Sequence, residues 1–432
     1  MSAQAARRPR VDAGVVDGWS RALAHRLLGR LHHGRLTVDE GGHRLHFGEP
    51  SDVGATLRVL HPSFWRRVMT RGGTGLADAY AAAQWEADDL VAVLRLLARN
   101  IDRINRVIRN PVTRARGIAA LATRHRRPSA ERDRRNIRAH YDAGDDFFAL
   151  FLDPTMAYSC ALFEHPGMSL EEASTAKFER ICRLLELTPD SHVVEIGGGW
   201  GGFAVHAAQR HGCRVTTTTL SERQYGYMRD RVARHCLGDR VTVLRDHYRD
   251  LRGDFTHLVS VEMIEAVDWR LHDEYFATLQ RLLRPGGRAV LQAIVVDDGE
   301  FERSKHWTDF IKRSVFPGGC LPSVSAMLRS VARTTDLRLV DLLDIGPHYV
   351  TTLRLWRETL DGRLDDARAL GWDDRRLRLW RFYLAYCEAG FAEGRVSDVQ
   401  MLLARPGDAA PAGVDNRTVA RTMQGSPRET AS

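Results

Sequence analysis

The sequence predicts a doubly wound, Rossmann-like α/β sheet preceded by a smaller α+β domain. From Lys177 onward, apolar strand patterns alternate with helical patterns, which is typical of a mainly parallel sheet. The first of these strands ends in a glycine-rich turn at 197–202, and short strands mix with helices between 17 and 107. The chain has 432 residues, of which 44% are hydrophobic, and this length predicts two domains.

The N-terminal part is predicted to contain a mobile tail and a small domain. Residues 1–16 are rich in Ala and Arg and lack periodicity, as are residues 406–432, so both ends are interpreted as tails. Strand patterns at 45–47 and 55–60 alternate with helical patterns. The helical patterns cover 63–71, 76–82 and 88–98. We therefore assign 17–107 to an N-terminal α+β domain.

The segment 108–138 is a basic linker with ten arginines around a short apolar run at 118–122. It could lie on an anionic bilayer with its arginines on phosphates, or it could be a solvated linker. The residues leave both interpretations open. Nucleic acid is disfavoured as a partner, because the segment has no aromatic residues for base stacking.

Composition restricts the class of protein further. The net charge is +8, and 63 basic residues include only three lysines, so arginine carries the positive charge and favours anionic partners. The six cysteines show no close pairs, so we expect no zinc site, no metal ligands and no disulfide framework, and a reducing cytosol is the predicted location. No apolar window has the length of a membrane span, so we expect any membrane contact to be peripheral.

The second domain is assigned to 139–405 and contains five predicted strands. They cover 193–196, 214–220, 241–244, 257–261 and 288–294. Ligands of doubly wound sheets bind at the carboxyl ends of the strands. The polar residues at those ends are Glu195, Thr219, His247, Tyr248, Arg249, Glu262, Glu265 and Gln292. We expect them to converge on one crevice.

The glycine turn indicates an adenosyl cofactor. Glycines let the backbone approach a ligand closely, and the helix that follows directs its positive end at that ligand. The next strand ends in hydroxyls and an amide, where a dinucleotide fold would have an acidic ribose ligand. This argues against NAD and favours S-adenosylmethionine, with Glu195 at its methionine end. The predicted cofactor residues here are Glu195, Gly197, Gly199, Gly201, Thr219, Leu220, Ser221, Gln224, His247, Tyr248 and Arg249.

Several further strings accompany this turn. They are 140–148 (HYDAGDDFF), 152–161 (LDPTMAYSCA), 219–221 (TLS), 260–267 (SVEMIEAV), 316–319 (FPGG), 348–349 (HY), 387–391 (CEAGF) and Gln400. Together they resemble the cyclopropane fatty acyl phospholipid synthase family, including the mycolic acid cyclopropane synthases, from about residue 20 to 406. The first domain, with 85–90 (WEADDL), is similar to the extra N-terminal domain of longer members that modify intact phospholipids. The resemblance adds Tyr141, Tyr158 and Ser159 to the cofactor residues.

The resemblance implies a cationic reaction on lipid. A cis double bond of an acyl chain attacks the sulfonium methyl, and a carbocation remains on the chain. Aromatic faces tolerate such a cation without reacting, so the predicted liners are Tyr158, Tyr349, Phe316 and Trp307.

A base then removes a proton from the added methyl so that the ring closes. The resemblance implies a bound bicarbonate as this base, held by Cys160, Glu265 and Tyr349, with Gln292 and Ile294 on the neighbouring strand. Glu265 is the principal catalytic candidate, because a buried carboxyl without a role is costly. Cys160 could act through its backbone rather than its thiol.

Two departures from the family pattern affect the predicted product. Gln292 replaces the histidine of the bicarbonate site, and Ala266 replaces another histidine. Glutamine donates a hydrogen bond but cannot shuttle a proton, so the anion would be held less firmly. If the base lay elsewhere, or a hydride shift moved the cation first, a methylene branch would form. Gly198 stands where the family has cysteine, a change expected to be harmless in a turn that needs only a small residue.

The sequence thus predicts an S-adenosylmethionine-dependent methyltransferase that forms cyclopropane acyl chains in phospholipids at the cytoplasmic face of a membrane. The alternatives are a methylene-branched product, which a partner reductase would convert to a methyl branch, a soluble small-molecule methyltransferase, and a lipid-binding protein without catalysis. A homodimer is left open.

Overall fold

The computed structural model describes residues 14–108, 144–306 and 309–407. The predictions for Tyr141, for Trp307 and for the arginine-rich segment from 109 onward lie outside these residues. Within the described ranges, no helix combines the length and the apolar character that a membrane crossing requires.

The first unit is a four-stranded sheet flanked by four helices. Its elements are α1 (Val15–Leu28), β1 (Gly34–Glu40), β2 (His43–Glu49), β3 (Gly54–Val59), α2 (Ser63–Arg71), α3 (Gly73–Ala81), β4 (Trp85–Ala87) and α4 (Leu90–Ile108). The strand order is β2-β1-β3-β4, with β1 parallel to β3 and the other pairs antiparallel. Strands β1 and β4 were not predicted, and α1 begins inside the segment predicted as a tail, because that prediction relied on composition alone.

The second unit contains a seven-stranded sheet. Its strands are β5 (His192–Ile196), β6 (Arg214–Thr218), β7 (Val241–Leu244), β8 (Phe255–Val261), β9 (Leu283–Val295), β10 (Arg338–Asp344) and β11 (Ser397–Ala404). The order is β10-β11-β9-β8-β5-β6-β7, in which β5 to β9 are parallel and β11 is antiparallel to both neighbours. The strand order reverses between β5 and β8, and this switch point is where doubly wound sheets bind ligands. The predicted fold class is confirmed.

Eleven α-helices accompany the sheet in the described residues, and the three between 346 and 392 follow β10 and precede β11 along the chain. The eleven helices are α5 (Asp145–Phe148), α6 (Leu170–Leu184), α7 (Gly202–His211), α8 (Glu222–Arg234), α9 (His272–Leu282), α10 (Asp298–Ser304), α11 (Phe310–Ser314), α12 (Val324–Thr334), α13 (Gly346–Asp361), α14 (Leu364–Ala369) and α15 (Asp374–Ala392). Ser169 begins α6 with a reciprocal capping box to Glu172. Ser221 caps α8 and Asp373 caps α15. Each of these side chains accepts a hydrogen bond from a backbone N–H in the first turn of its helix.

Helix α15 joins the two units. It packs against α3 and α4 of the first unit, and Arg378 on α15 donates to the carbonyl of Tyr80 (2.6 Å) and to Glu86 (2.5 Å). After the helix, Glu393 accepts hydrogen bonds from Arg95 and Arg99, each at 2.6 Å. The two units therefore share one boundary, and a cavity lies along it.

Candidate active site

A cavity of about 1280 Å³ extends from the carboxyl ends of the parallel strands into the first unit. On the sheet side its wall includes Glu195, Gly199, Thr219, Glu262, Glu265 and Ile294. On the side of the first unit it includes Leu27, Leu36, Leu57, Phe64, Leu94 and Ile104. The polar groups thus lie at one end of a space whose other end is apolar.

The glycine turn forms an open backbone surface at this polar end. Gly199 has φ +54°, and no atom lies within 4 Å of the place that a Cβ would occupy, so its backbone is accessible from the cavity. Gly201 has φ +82° but is packed, since a Cβ there would lie 2.6 Å from Cγ of Met228. The turn leads directly into α7, whose N-terminus carries partial positive charge. These features fit a bound adenosyl cofactor.

Glu195 is buried behind the turn and bonded to Thr217. Its Oε2 accepts a hydrogen bond of 2.6 Å from Thr217 Oγ1, and burial raises its pKa to about 7. A Cβ on Gly198 would lie 2.0 Å from that same hydroxyl. The expectation that any small residue serves at 198 is therefore wrong for this chain, because Thr217 already fills the space of the side chain.

Most of the predicted cofactor residues line the cavity. They are Tyr158, Ser159, Glu195, Gly197, Gly199, Thr219, Leu220, Gln224 and Tyr248. Thr219 Oγ1 donates to Gln224 Oε1 at 2.8 Å, so the hydroxyl and amide predicted at the end of β6 are paired with each other. Ser159 Oγ accepts a hydrogen bond of 2.5 Å from the buried Lys177 ammonium.

Four predicted cofactor residues are not part of the cavity wall. Gly201 begins α7, and Ser221 caps α8, where it accepts from the backbone of Gln224. His247 is buried and accepts from the backbone N–H of Arg249, while the Arg249 guanidinium pairs with Glu274 at 3.2 Å. The prediction assigned all of 247–249, after β7, to the cofactor. Of these three residues, only Tyr248 lines the cavity. Asp246, which precedes this run, does line it.

The Glu262 carboxylate is the centre of the hydrogen-bond network. Its Oε1 accepts from the backbone N–H of Cys160 (2.7 Å) and from Gln292 Nε2 (2.8 Å), and its Oε2 accepts from the Tyr349 hydroxyl (2.7 Å). Burial raises the pKa of Glu262, and these donors oppose that effect. Three of the predicted catalytic residues therefore contact one side chain that was not assigned a catalytic role.

Glu265 lies beside Glu262 and has a different environment. Its Oε1 accepts from the backbone N–H of Ile294 at 2.5 Å, whereas its Oε2 is buried without a partner in the described part of the chain. Burial, with the Glu262 charge as a second cause, raises the pKa of Glu265 to about 8. The neutral, protonated form of Glu265 is therefore favoured near neutral pH.

Cys160 and Gln292 stand behind the cavity wall. The Cys160 thiol is fully buried and directed at the carbonyls of Ala161 and Ile345, and burial raises its pKa well above the usual range, so it is not a nucleophile. Gln292 Nε2 also contacts Asp398 Oδ2 at 2.9 Å. Cys160 thus contacts Glu262 through its backbone N–H, and Gln292 through its amide N–H.

Aromatic side chains surround the carboxyl groups. The Tyr158 hydroxyl lies 3.0 Å from that of Tyr383, and Phe316, Tyr349 and Phe382 share the cavity wall. These rings provide faces toward which a cation is attracted. Of the four predicted aromatic liners, the three within the described residues line the cavity.

Sequence reasoning missed part of this site. The residues not predicted are Lys177, Asp246, Asp398 and the role of Glu262. One signal in the sequence could have identified Glu262. Glu262 and Gln292 are polar residues at the ends of two otherwise apolar strands. The register confirms that they are neighbours, because β8 Val261 pairs with Gln292 on β9.

A second polar cluster lies outside the cavity. The ligand atoms of Cys182, His206 and His211 are within 4.8 Å of one another, and both imidazoles contact Glu179 Oε2 at 3.1 Å. Cysteine spacing alone did not reveal this cluster, because its members come from α6 and α7. The Glu179 carboxylate satisfies both imidazoles.

Comparison with known proteins gives the family. The model of the mycolic acid cyclopropane synthetase family matches residues 128–401. The tuberculostearic acid methyltransferase of Mycobacterium tuberculosis is 38% identical over 417 residues, covering 92% of this chain and 94% of the relative. The cyclopropane-fatty-acyl-phospholipid synthase of Escherichia coli K12 is 32% identical over 388 residues, covering 89% and 92%.

Solved structures agree with this assignment. A cyclopropane synthase from Mycobacterium tuberculosis superposes with a TM-score of 0.59 at 30% identity and covers 63% of this chain and 98% of its own. A mycolic acid cyclopropane synthase complexed with SAH and CTAB gives the same values. S-adenosylmethionine is accordingly the cofactor. The chain belongs to the mycolic acid cyclopropane synthetase family and is an S-adenosylmethionine-dependent methyltransferase.

Proposed function

We propose that the protein methylates the cis double bond of an unsaturated acyl chain of a membrane phospholipid, at the inner face of the membrane. The observation that carries this proposal is the single cavity shared by the cofactor turn, the Glu262 and Glu265 carboxyls and the apolar interior of the first unit. An acyl chain is long and uncharged, so it requires apolar depth beyond the reacting carbon. A small soluble substrate would leave much of this apolar wall uncovered.

The arginines beside the cavity support a phospholipid rather than a free fatty acid. A second cavity of about 470 Å³ shares Thr70 with the first and is lined by Arg66, Arg67, Arg71, Arg313 and Arg375. Asp78 is the acidic residue among its lining residues, and it pairs with Arg71 at 3.1 Å. The excess of guanidinium groups suits a lipid phosphate at the entrance to the acyl site.

The residues have separate tasks in the proposed reaction. Bound S-adenosylmethionine supplies an electrophilic methyl group. The glycine turn and Glu195 orient the cofactor, and the apolar wall excludes water and aligns the acyl chain. Tyr158, Tyr349 and Phe316 surround the carbon on which positive charge develops, and the Glu262 carboxylate stabilises that charge.

For the product we favour a methylene branch over the cyclopropane ring predicted from the sequence. Both products lose a proton from the added methyl, but the branch requires a hydride shift first. The Glu262 carboxylate is tethered to the protein and reaches only a proton directly in front of it. A cation whose methyl group is not yet aligned with that carboxylate therefore has time to rearrange. The relative that aligns with this chain over 417 residues is named for a methyl-branched acid, which is consistent with this choice. Reduction of the branch would require a separate reductase as partner.

The test is analysis of acyl chains after incubation of the purified protein with dioleoyl phosphatidylglycerol vesicles and methyl-labelled S-adenosylmethionine. Gas chromatography with mass spectrometry against ring and methylene standards identifies the product. We expect labelled chains that have gained one CH₂ group and co-elute with the methylene standard. A ring would restore the first sequence prediction, and unlabelled chains would favour the soluble substrate. Free oleate, incubated in parallel, shows whether the phosphate is needed.

A further inference from the structure

We propose that Glu262 supplies, from the chain itself, the anion that the family resemblance assigns to bound bicarbonate, and that its carboxylate accepts the proton lost from the added methyl group. This inference rests on the proposed function, because it names the base of that reaction. It also predicts that this enzyme does not need bicarbonate.

The first argument is the identity of the donors. Cys160 and Tyr349, which the resemblance assigns to bicarbonate, direct their N–H and O–H at the two oxygens of Glu262, at 2.7 Å each. Gln292, which replaces the family histidine, adds its N–H at 2.8 Å. A bicarbonate ion in this position would compete for occupied donors and would meet a carboxylate charge. The side chain therefore takes the place of the ion.

The second argument is the backbone of Glu262. Its φ is +47°, in the left-handed region that side chains other than glycine rarely adopt. Its N–H donates to the carbonyl of Gln292 at 2.8 Å, which fixes the residue at the end of β8. Such strained residues concentrate at functional sites, where the surrounding structure holds them in place. Glycine would adopt this conformation without strain. We infer that the Glu262 carboxylate has a function that outweighs the cost of the strained backbone.

The third argument is the distribution of charge around Glu262. Six titratable groups from other positions interact with its charge: Lys177 on α6, Asp398 on β11, Glu265 after β8, Tyr349 on α13, Tyr383 on α15 and Cys160. Burial and the neighbouring carboxyls raise the pKa of Asp398 well above its usual range, and burial raises that of Glu265 to about 8, which disfavours a charge on either. Burial also raises the pKa of Glu262, but three hydrogen-bond donors oppose that effect, so Glu262 is the carboxyl of the three best able to hold the negative charge.

The proton transfer balances without another reactant. A hydride first shifts from the methyl-bearing carbon to the neighbouring cationic carbon. A C–H bond of the added methyl then breaks, and its electron pair forms the second bond of the C=CH₂ group at the carbon that now carries the charge. The proton passes to the carboxylate of Glu262, a residue of the cavity wall. The cation and the carboxylate are both neutralised. Glu262 returns its proton to water when the product leaves.

The experiment compares three proteins in buffer freed of carbon dioxide, with and without added bicarbonate. We expect the wild type to methylate dioleoyl phosphatidylglycerol equally in both. Glu262→Gln fills the same space without a base, and we expect it to lose at least about a hundredfold in rate under both conditions. Glu262→Gly suits the positive φ and opens the anion site, so we expect bicarbonate to restore part of its activity.

A second readout does not depend on turnover. NMR line broadening of ¹³C-bicarbonate should show binding to Glu262→Gly and no binding to the wild type, with thermal unfolding as the check that each variant folds. Loss of wild-type activity without bicarbonate, or full activity of Glu262→Gln, would overturn the inference. If the wild type methylates no acyl chain, the proposed function fails, while the bicarbonate-binding comparison still tests the role of Glu262.

Discussion

Gln400 on β11 lies directly opposite Gln292 on β9, and its Nε2 donates a hydrogen bond of 3.0 Å to Gln292 Oε1. This contact fixes which end of the Gln292 amide faces Glu262. Gln400 Oε1 in turn accepts from Arg180, which pairs with Asp341 at 3.0 Å near the surface. A chain of polar side chains therefore orients the candidate base from outside the cavity.

We expect Gln400→Met to lower kcat about tenfold, because Gln292 loses the partner that orients its N–H toward Glu262. The dissociation constant of S-adenosylmethionine should stay unchanged, since Gln400 is remote from the glycine turn. Steady-state kinetics and calorimetry measure the two quantities. Asp341→Asn alters only the exposed end of the chain and serves as the control. A loss of cofactor affinity in Gln400→Met would show that the effect is not one of orientation.

Glu265→Gln should bind S-adenosylmethionine normally but lose turnover, because the acid O–H beside Glu262 is replaced while the glycine turn is untouched. Thermal unfolding gives an independent check. The folded-state pKa of about 8 exceeds the ordinary value of 4.5, so the folded protein keeps a proton that the unfolded chain releases. Its contribution to stability is lost as pH rises through this interval. The Tm of the variant relative to the wild type should therefore increase from about pH 5 to about pH 8. A constant difference would contradict the raised pKa.

Gly199→Val should abolish cofactor binding. No atom lies within 4 Å of the Cβ position at Gly199, so a valine side chain would fill the open space through which the cofactor is expected to approach the backbone. Gly371→Val is a matched control. Gly371 also has a positive φ and open space around it, but it lies outside the cavity wall. Calorimetric titration of both variants separates a blocked site from backbone strain, which both share. Equal affinities would show that the turn does not contact the cofactor.

Cofactor affinity should rise with pH between about pH 6 and about pH 7. Burial raises the pKa of Glu195 to about 7, so the carboxyl is protonated at the lower pH and ionised as pH rises. We expect an ionised Glu195 to pair with the ammonium at the methionine end of the cofactor. Isothermal titration across this interval measures the effect, and Glu195→Gln should remove the pH dependence. A pH-independent wild type would place the ammonium elsewhere.

Replacing Arg71 and Arg375 together by glutamine should raise KM for dioleoyl phosphatidylglycerol vesicles by roughly thirtyfold, at about 1 kcal/mol for each arginine. The rate with free oleate should not change. Arg183→Gln with Arg354→Gln removes the same charge from residues that line neither cavity, and it should have a smaller effect. An equal loss in both pairs would indicate a general charge effect rather than a phosphate site.

The sequence predicted the parallel strands and the glycine turn, because both depend on local patterns. It did not predict β11, where Asp398 and Gln400 place polar side chains at buried positions, or β10, whose residues are largely exposed. The central role of Glu262 was missed for another reason. Its donors come from positions 160, 292 and 349, and only the tertiary structure brings them to one carboxylate. Likewise, the need for glycine at 198 depends on Thr217, a strand away.

The apolar end of the cavity belongs to the first unit, whereas the reacting groups belong to the second. A larger side chain at Leu27 or Leu94 would shorten the space for the far end of an acyl chain and leave Glu262 and the glycine turn unaltered. If the substrate is the proposed acyl chain, we expect the first unit to set its accepted length. Selectivity for chain length can change through substitutions in α1 and α4 while the chemistry at the strand ends is retained.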